Sequence, residues 1–341
     1  MTKQYLITGG GGFIGSNYVH RLLARGEKVT IYDNFSRAGA PRNLEWLKQS
    51  FGEQGLDVVA GDVRDANRIA EAAKSADVIV HLAGQVAVTT SVTNPRDDFE
   101  INALGTFNML EAARLSGRKP IVLYASTNKV YGGMDDVEVV EDKTRWHYKD
   151  LTYGAPESQP LDFHSPYGCS KGTGDQYVRD YYRIFGLPTV VLRQSCIYGP
   201  RQFGIEDQGW LAWMIIAAVT GRQITIYGDG KQVRDVLHVH DLLDAYDAAI
   251  ANIEVAKGQV YNMGGGVGNV LAVWAEFGPM IEKLLGKKVE VAHSGWRPGD
   301  QRVFYADYRK AERELGWKPK ISLEEGIDQL FKWVKENKEL F

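Results

Sequence analysis

One glycine-rich turn near the amino end constrains this chain more than any other stretch. The apolar run Gln4–Thr8 has the length of a strand, Gly9-Gly10-Gly11-Gly12-Phe13-Ile14-Gly15 follows it directly, and residues 16–25 read as a helix. Glycines 9, 12 and 15 stand three apart, so backbone can approach a pyrophosphate while the helix amino terminus offers N–H donors and the positive end of its dipole. A second strand over 28–32 ends at Asp33, where a carboxylate can accept hydrogen bonds from an adenosine ribose. Strand, turn, helix, strand and acid in this order predict a doubly wound, Rossmann-type α/β sheet with a dinucleotide on Gly9, Gly12, Phe13, Ile14 and Gly15. Asp33, Asn34, Ser36 and Arg37 form the ribose end of that site. A 2′-phosphate is repelled by Asp33, which favours NAD over NADP, although Arg37 close by acts the other way.

A chain of 341 residues that is 44% hydrophobic can bury a large core, either as one α/β domain or as one with an added lobe. With a formal net charge of −3 and no Lys/Arg-dense block, nucleic acid and anionic membrane are excluded as main partners, and a small molecule fits better. Cys169 and Cys196 are too few for a disulfide framework and lack metal-ligand spacing, so no metal is expected. The amino terminus runs straight into a strand without a basic and apolar leader, which points to the cytoplasm. The longest apolar run, over 210–219, is half the ~20 residues needed to span a bilayer and reads as a buried helix.

Two further strands, over 56–60 and 77–81, end in Gly61-Asp62-Val63 and in Leu82-Ala83-Gly84-Gln85. Both endings fall where open α/β sheets hold ligands, so Asp62 and Val63 are expected beside adenine and residues 82–85 beside the nicotinamide ribose. Asn102, in a helix over 96–116 crossing beneath the site, is either a ligand contact or a satisfied core amide. A strand over 121–125 then delivers Ser126-Thr127-Asn128-Lys129-Val130-Tyr131-Gly132, with a hydroxyl at its tip. In Phe163-His164-Ser165-Pro166-Tyr167-Gly168-Cys169-Ser170-Lys171, Ser165 suits an N-cap and Pro166 the first helical position, so Tyr167 and Lys171 share a helix face. A lysine ammonium beside a phenol favours phenolate and makes proton exchange with a sugar hydroxyl feasible; the alternative is two surface residues that merely fall four apart. His164 either touches substrate or bonds the backbone of this turn. Residues 133–161 are expected to form a loop or hairpin over the sugar. Strands over 189–193 and 260–263 and helices over 242–251, 274–285 and 321–339 complete the reading. The expected division is 1–188 as the dinucleotide-binding domain, with 189–193 and about 235–263 returning partly to it, and 194–341 mainly as a substrate-binding lobe.

TGGGGFIG at 8–15, the acid after the second strand, the hydroxyl-bearing strand end running into VYG, and SPYxxxK at 165–171 together resemble the extended short-chain dehydrogenase/reductase superfamily of nucleotide-sugar enzymes. By that resemblance Thr127, Tyr167 and Lys171 are catalytic, and Ser126 joins the cofactor site. The superfamily's 4,6-dehydratases have an acid-acid pair after this threonine; here Asn128-Lys129 stands instead, which makes dehydration improbable. STNKVYG at 126–132, LDFHSPYGCSKG at 161–172, DQGW at 207–210 and GDGKQVRDVLH at 228–238 are similar to the CDP-tyvelose (CDP-paratose 2-) epimerase family. That likeness implies NAD-dependent inversion at C2 of a CDP-linked hexose through a 2-keto intermediate. It also implies substrate contacts from Gln85, Thr127, Asn128, Lys129, His164, Arg201, Gln202, Arg234, Arg297 and Asp300, with Arg234 and Arg297 gripping the diphosphate and Asp300 the nucleoside ribose. Cys196 stands where many superfamily members have asparagine, which leaves its contact open. A homodimer or tetramer through helices over 96–116 and 167–185 is implied as well. The alternatives are a UDP-sugar 4-epimerase, a net oxidoreductase releasing NADH, and an NAD-binding protein without chemistry, which needs none of Thr127, Tyr167 and Lys171.

Overall fold

The computed structural model describes residues 2–297 and 300–341. Seven parallel strands lie side by side in the order Val260–Met263, Thr189–Gln194, Ile121–Thr127, Val78–His81, Gln4–Thr8, Lys28–Asp33, Leu56–Ala60. The chain order reverses between Gln4–Thr8 and Val78–His81, so a crevice opens at the carboxyl ends of these central strands. Every residue of Val78–His81 and of Thr189–Gln194 is buried, as a sheet covered on both faces requires. Side-chain alternation divides the core in two. Tyr5 and Ile7 pack with helices Phe13–Ala24, Gly39–Phe51 and Val239–Ala251, whereas Leu6 faces helices Ala66–Ala73, Gly105–Leu115 and Ser165–Phe185.

A second sheet organises the carboxy-terminal half. Val233–His238, buried throughout, pairs with Val270–Ala272, Val303–Phe304 and Cys196–Tyr198. Helices Trp210–Thr220, Phe277–Leu285 and Leu323–Glu336 share one apolar cluster against it. The apolar run at 210 is thus a core helix, and among the described residues no helix is long and apolar enough to cross a membrane. An antiparallel hairpin, Val139–Glu141 with Trp146–Tyr148, lies within the polar segment before the Tyr167 helix.

Two local readings need correction. The helix expected over 96–116 is three pieces: Pro95–Phe99, a π-helical turn Glu100–Leu104, and Gly105–Leu115. The wide turn contains Asn102, 1% exposed, whose amide bonds both polar atoms of the Gln85 backbone; apolar periodicity carries no signal for such a turn. The strand expected over 121–125 runs on through Thr127, because Ser126 and Thr127 still pair with Arg193 and Gln194.

Asp175 ties the long helix to the sheet. Its carboxylate accepts from Arg193 Nε and Nη2, each at 2.9 Å, and from Ser126 Oγ at 2.8 Å, while Arg193 Nη1 donates to the Tyr131 hydroxyl at 3.0 Å. Removing one partner of a buried ion pair strands the other charge. Asp175→Ala is therefore expected to lower unfolding free energy by about 3–5 kcal/mol in urea titrations. An unchanged midpoint would contradict that role.

Candidate active site

The amino-terminal turn is built for close approach. A Cβ on Gly15 would stand 2.3 Å from Gly9 O, and one on Gly9, whose φ is +71°, would stand 2.7 Å from Ala83 N. Gly12 caps helix Phe13–Ala24 without a side-chain bond, which leaves the first-turn amides turned to the crevice. Asp33 accepts Gly11 N at 2.9 Å and Phe35 N at 2.8 Å, so its carboxylate both braces the turn and keeps lone pairs for hydroxyl donors. Asn34 Nδ2 donates to Asp62 at 2.9 Å, and hydrogen bonding from Arg64 holds the Asp62 carboxyl down at about 2. Ser36 is exposed beside them. This donor set suits a dinucleotide: open amides for pyrophosphate, acceptors for ribose, and Leu82, Ala83 and Gly84 on the neighbouring strand end.

Tyr167 and Lys171 are 8% and 7% exposed, near Thr127 at 7%, where helix Ser165–Phe185 meets the end of Ile121–Thr127. Ser165 adopts φ +65° and its hydroxyl accepts Gly168 N at 3.2 Å, which starts the helix; Ser91 Oγ accepts Tyr167 N at 3.1 Å. Burial pushes the Tyr167 phenol up to about 12; the Thr127 hydroxyl and Arg37 act against that, and Asp98 with it. Burial likewise pulls the Lys171 ammonium down to about 7, with Asp175 and Asp98 resisting. The sequence reading, in which the lysine lowers the tyrosine, is thus corrected here: desolvation dominates both groups, and Lys171 Nζ sits 4.3 Å from the centre of the Tyr124 ring.

Beyond the tyrosine, a second cluster joins the strand tip to the carboxy-terminal lobe. Arg234, 7% exposed, donates to Asp300 Oδ1 at 2.6 Å. Burial and Arg234 pull the Lys129 ammonium down to about 8, while Asp300 and Cys196 hold it up. Lys129 Nζ also donates to Gln301 Oε1 at 3.4 Å. Burial raises the Cys196 thiol, whose sulfur accepts Trp210 Nε1 at 3.4 Å. Asn128 Oδ1 accepts from Thr127 at 3.4 Å. Arg297 lies over the Tyr227 ring at 3.8 Å and pairs with Asp207 at 3.3 Å, and Arg37 Nη1 donates to Gln208 at 2.8 Å. Residues 207–210 therefore link the cofactor side of the crevice to the lobe.

Several expected contacts have their side chains committed elsewhere. Asn102 is the satisfied core amide of the two readings offered, since its Nδ2 also reaches Asp98 at 3.1 Å. Gln85 folds its amide onto Ala87 O at 2.8 Å and Asp98 at 2.9 Å, closing its own loop. The Val63 side chain is in the core, and the Ser126 hydroxyl belongs to Asp175, so either reaches the crevice only through backbone. Arg201, at φ +70°, is held 4.2 Å from the Trp46 ring and 5.8 Å from the Trp333 ring, away from the Arg234 cluster. Gln202 is 5% exposed, donates to Ile197 O at 3.2 Å and keeps a buried, unpartnered Oε1 among the described residues. His164 Nε2 meets the Asp162 carboxylate at 2.8 Å on the surface, rather than the backbone of the turn. The sequence reading missed Asp98, Asp175 and Gln301. Asp98 stands inside the quoted DFEIN stretch, but no local pattern announces a buried carboxylate that faces Lys171.

The family model for GDP-mannose 4,6-dehydratase matches residues 6–330. CDP-paratose 2-epimerase of Salmonella typhi is 44% identical over 338 residues, which cover 97% of this chain and 99% of that protein. A putative UDP-glucose 4-epimerase of Methanocaldococcus jannaschii is 33% identical over 97% of this chain and 98% of its own. Among solved structures, dTDP-glucose 4,6-dehydratase from Streptomyces venezuelae with NAD bound superposes with a TM-score of 0.85 at 29% identity, covering 99% of this chain and 98% of that one.

The lysine geometry has a consequence for stability. Folded Lys171 releases its proton near pH 7, whereas an unfolded lysine keeps it to 10.5, so the unfolded chain binds more protons between those values and stability rises with pH. From pH 7 to pH 9 the cofactor-free protein should gain about 2 kcal/mol from this residue. Urea titrations of wild type and Lys171→Met test it: the variant should lose most of the rise, and equal slopes would contradict a buried, proton-shedding Lys171.

Proposed function

The chain belongs to the GDP-mannose 4,6-dehydratase family, and within it we propose an NAD-dependent epimerase that inverts C2 of a CDP-linked hexose of the paratose/tyvelose type. The observation that carries this reading is the buried meeting of Thr127, Tyr167 and Lys171, followed at once by Asn128 and Lys129. Eliminating water from a sugar calls for a carboxylic acid and carboxylate at that point, and an amide beside an ammonium supplies neither. The 44% identity to a CDP-paratose 2-epimerase supports both the nucleotide and the carbon.

NAD is the cofactor. Gly9, Gly12, Phe13, Ile14 and Gly15 would hold its pyrophosphate, Asp33, Asn34, Ser36 and Arg37 its adenosine ribose, and Leu82, Ala83 and Gly84 the nicotinamide ribose. When bound, it supplies a hydride acceptor that can return what it takes. Tyr167 phenolate removes the C2 hydroxyl proton as the C2 hydrogen leaves with its electrons, giving a ketone. The phenol hands that proton back when the hydrogen returns to the opposite face. Thr127 orients the C2 oxygen, and its hydroxyl acts against the burial that opposes phenolate without cancelling it. Lys171, near neutrality in its own titration, holds the ribose and buffers the proton. Arg234 and Arg297 grip the diphosphate, Asp300 the nucleoside ribose, and Lys129 and Cys196 floor the sugar pocket between them.

Two copies pack through helices Gly105–Leu115 and Ser165–Phe185, which leave Phe107, Leu115, Tyr177, Ile184 and Phe185 exposed. Light scattering at twice the chain mass supports this, and a monomer mass opposes it. Both cysteines are unpaired, in keeping with a reducing compartment such as the cytoplasm.

The function is tested by incubating the protein with CDP-paratose, CDP-glucose and UDP-glucose and following sugar configuration by proton NMR. Inversion at C2 of a CDP sugar without net NADH is expected, and Tyr167→Phe should lose roughly a thousandfold or more in turnover while retaining NAD. Inversion at C4 of UDP-glucose would replace this reading by the 4-epimerase, and near-normal turnover of the variant would remove the tyrosine from the chemistry.

A further inference from the structure

A cavity of about 640 Å³ lies off the outer edge of the seven-stranded sheet, away from the Tyr167 crevice. Helix Ser165–Phe185 contributes to both places. Arg179 in the cavity wall is twelve residues past Tyr167, or about 18 Å along the helix axis. Five cations line the cavity, Arg179, Arg193, Arg309, Lys310 and Arg313, against two carboxylates, Glu157 and Asp307.

Most of these charges are already answered. Arg193 is bound to Asp175, Arg309 pairs with Asp307 at 2.7 Å, Arg313 meets Glu314 at 2.9 Å, and Glu157 accepts Asn262 N at 2.8 Å. Two cations are not. Arg179 keeps a buried Nε without a hydrogen-bond partner among the described residues. Among the described residues Lys310 Nζ donates only to neutral oxygens, Gln259 Oε1 at 3.0 Å and Val260 O at 2.9 Å, and so holds a third N–H in reserve. Burial lowers both groups, and like charges add to it: Arg183 and Arg193 press on Arg179, Arg179 and Arg313 on Lys310, with Asp175, Glu314 and Glu157 opposing.

We propose that this cavity is a second anion site, which takes the phosphate groups of a small phosphorylated molecule through Arg179 and Lys310. A guanidinium fork and an ammonium are the donors that phosphate oxygens favour, and an anion there would relieve the repulsion among these half-buried cations. The volume falls in the range of about 300–1,000 Å³ that small-ligand pockets occupy. Neither residue belongs to the Tyr167 site, so the proposal stands or falls apart from the epimerase reading.

The test is isothermal titration of full-length protein with inorganic pyrophosphate and, separately, with ADP, in wild type, Arg179→Gln, Lys310→Gln and Lys310→Arg. Wild type and Lys310→Arg should bind one more ligand per chain than the glutamine variants, or bind it about tenfold or more tightly, the loss expected for one charge-assisted hydrogen bond. Tighter binding of ADP makes a nucleotide the source, and tighter binding of pyrophosphate a free polyphosphate. The same stoichiometry and affinity in all four proteins would overturn the site, because the remaining binding would then belong to the Tyr167 crevice.

Discussion

A carboxylate with no solvent exposure, Asp175, holds this molecule's chemistry in place. Tyr167, Lys171 and Asp175 fall four apart on one face of a single helix; Asp175 bonds the sheet through its carboxylate, to Arg193 and Ser126, and Lys171 through its backbone carbonyl, which accepts the Tyr124 hydroxyl at 3.2 Å. A buried ion pair costs desolvation on both sides and is returned only by good geometry. Here two nearly parallel bonds to Arg193, a hydroxyl from Ser126 and a phenol on the arginine complete it. Because that anchor is rigid, the two residues upstream are held in the dry space at the strand ends. That dryness moves the phenol and the ammonium toward their neutral forms.

The strands were legible because a parallel sheet buried on both faces writes itself as short apolar runs closed by glycine or acid. Gln4–Thr8 and Val260–Met263 end where those signals do, and the edge strand Leu56–Ala60, exposed over most of its length, is closed by glycine as well. The glycine turn was legible for a related reason: no other residue fits where Gly15 meets Gly9 O. What sequence could not distinguish was an amide that faces a ligand from one that closes a loop. Gln85 and Asn102 have the residue types of a binding site, but Asn102 spends its amide on the Gln85 backbone and Asp98, and Gln85 spends its own on Ala87 O and Asp98. Arg201 misled for the same reason. A loop arginine looks like a phosphate clamp until Trp46 and Trp333, brought in by distant helices, are seen to hold it. Asp98 and Asp175 were passed over because a buried acid on a helix has no local signature; its partners are set by the tertiary fold.

The narrow motif at 207–210 gains a physical meaning. Asp207 holds Arg297, Gln208 holds Arg37, and Trp210 bonds the Cys196 sulfur, so one short segment spans from the ribose end of the crevice to the lobe that carries Arg234. The other narrow motif, Asn128-Lys129, puts an ammonium of lowered pKa against Arg234, Asp300 and Cys196. On the reading proposed above, the chemistry left to the pocket is a redox change at a hydroxyl-bearing carbon, with Tyr167 as its proton carrier.

The most direct test of that account is the fate of the hydrogen at C2. A CDP-hexose deuterated at C2 should be converted to its epimer with the deuterium still at C2, read by mass spectrometry and proton NMR of the product, because the hydrogen leaves and returns within one closed site. Conversion to the same epimer with the label lost to solvent would contradict it, since the inversion would then proceed by removal and return of a proton at carbon.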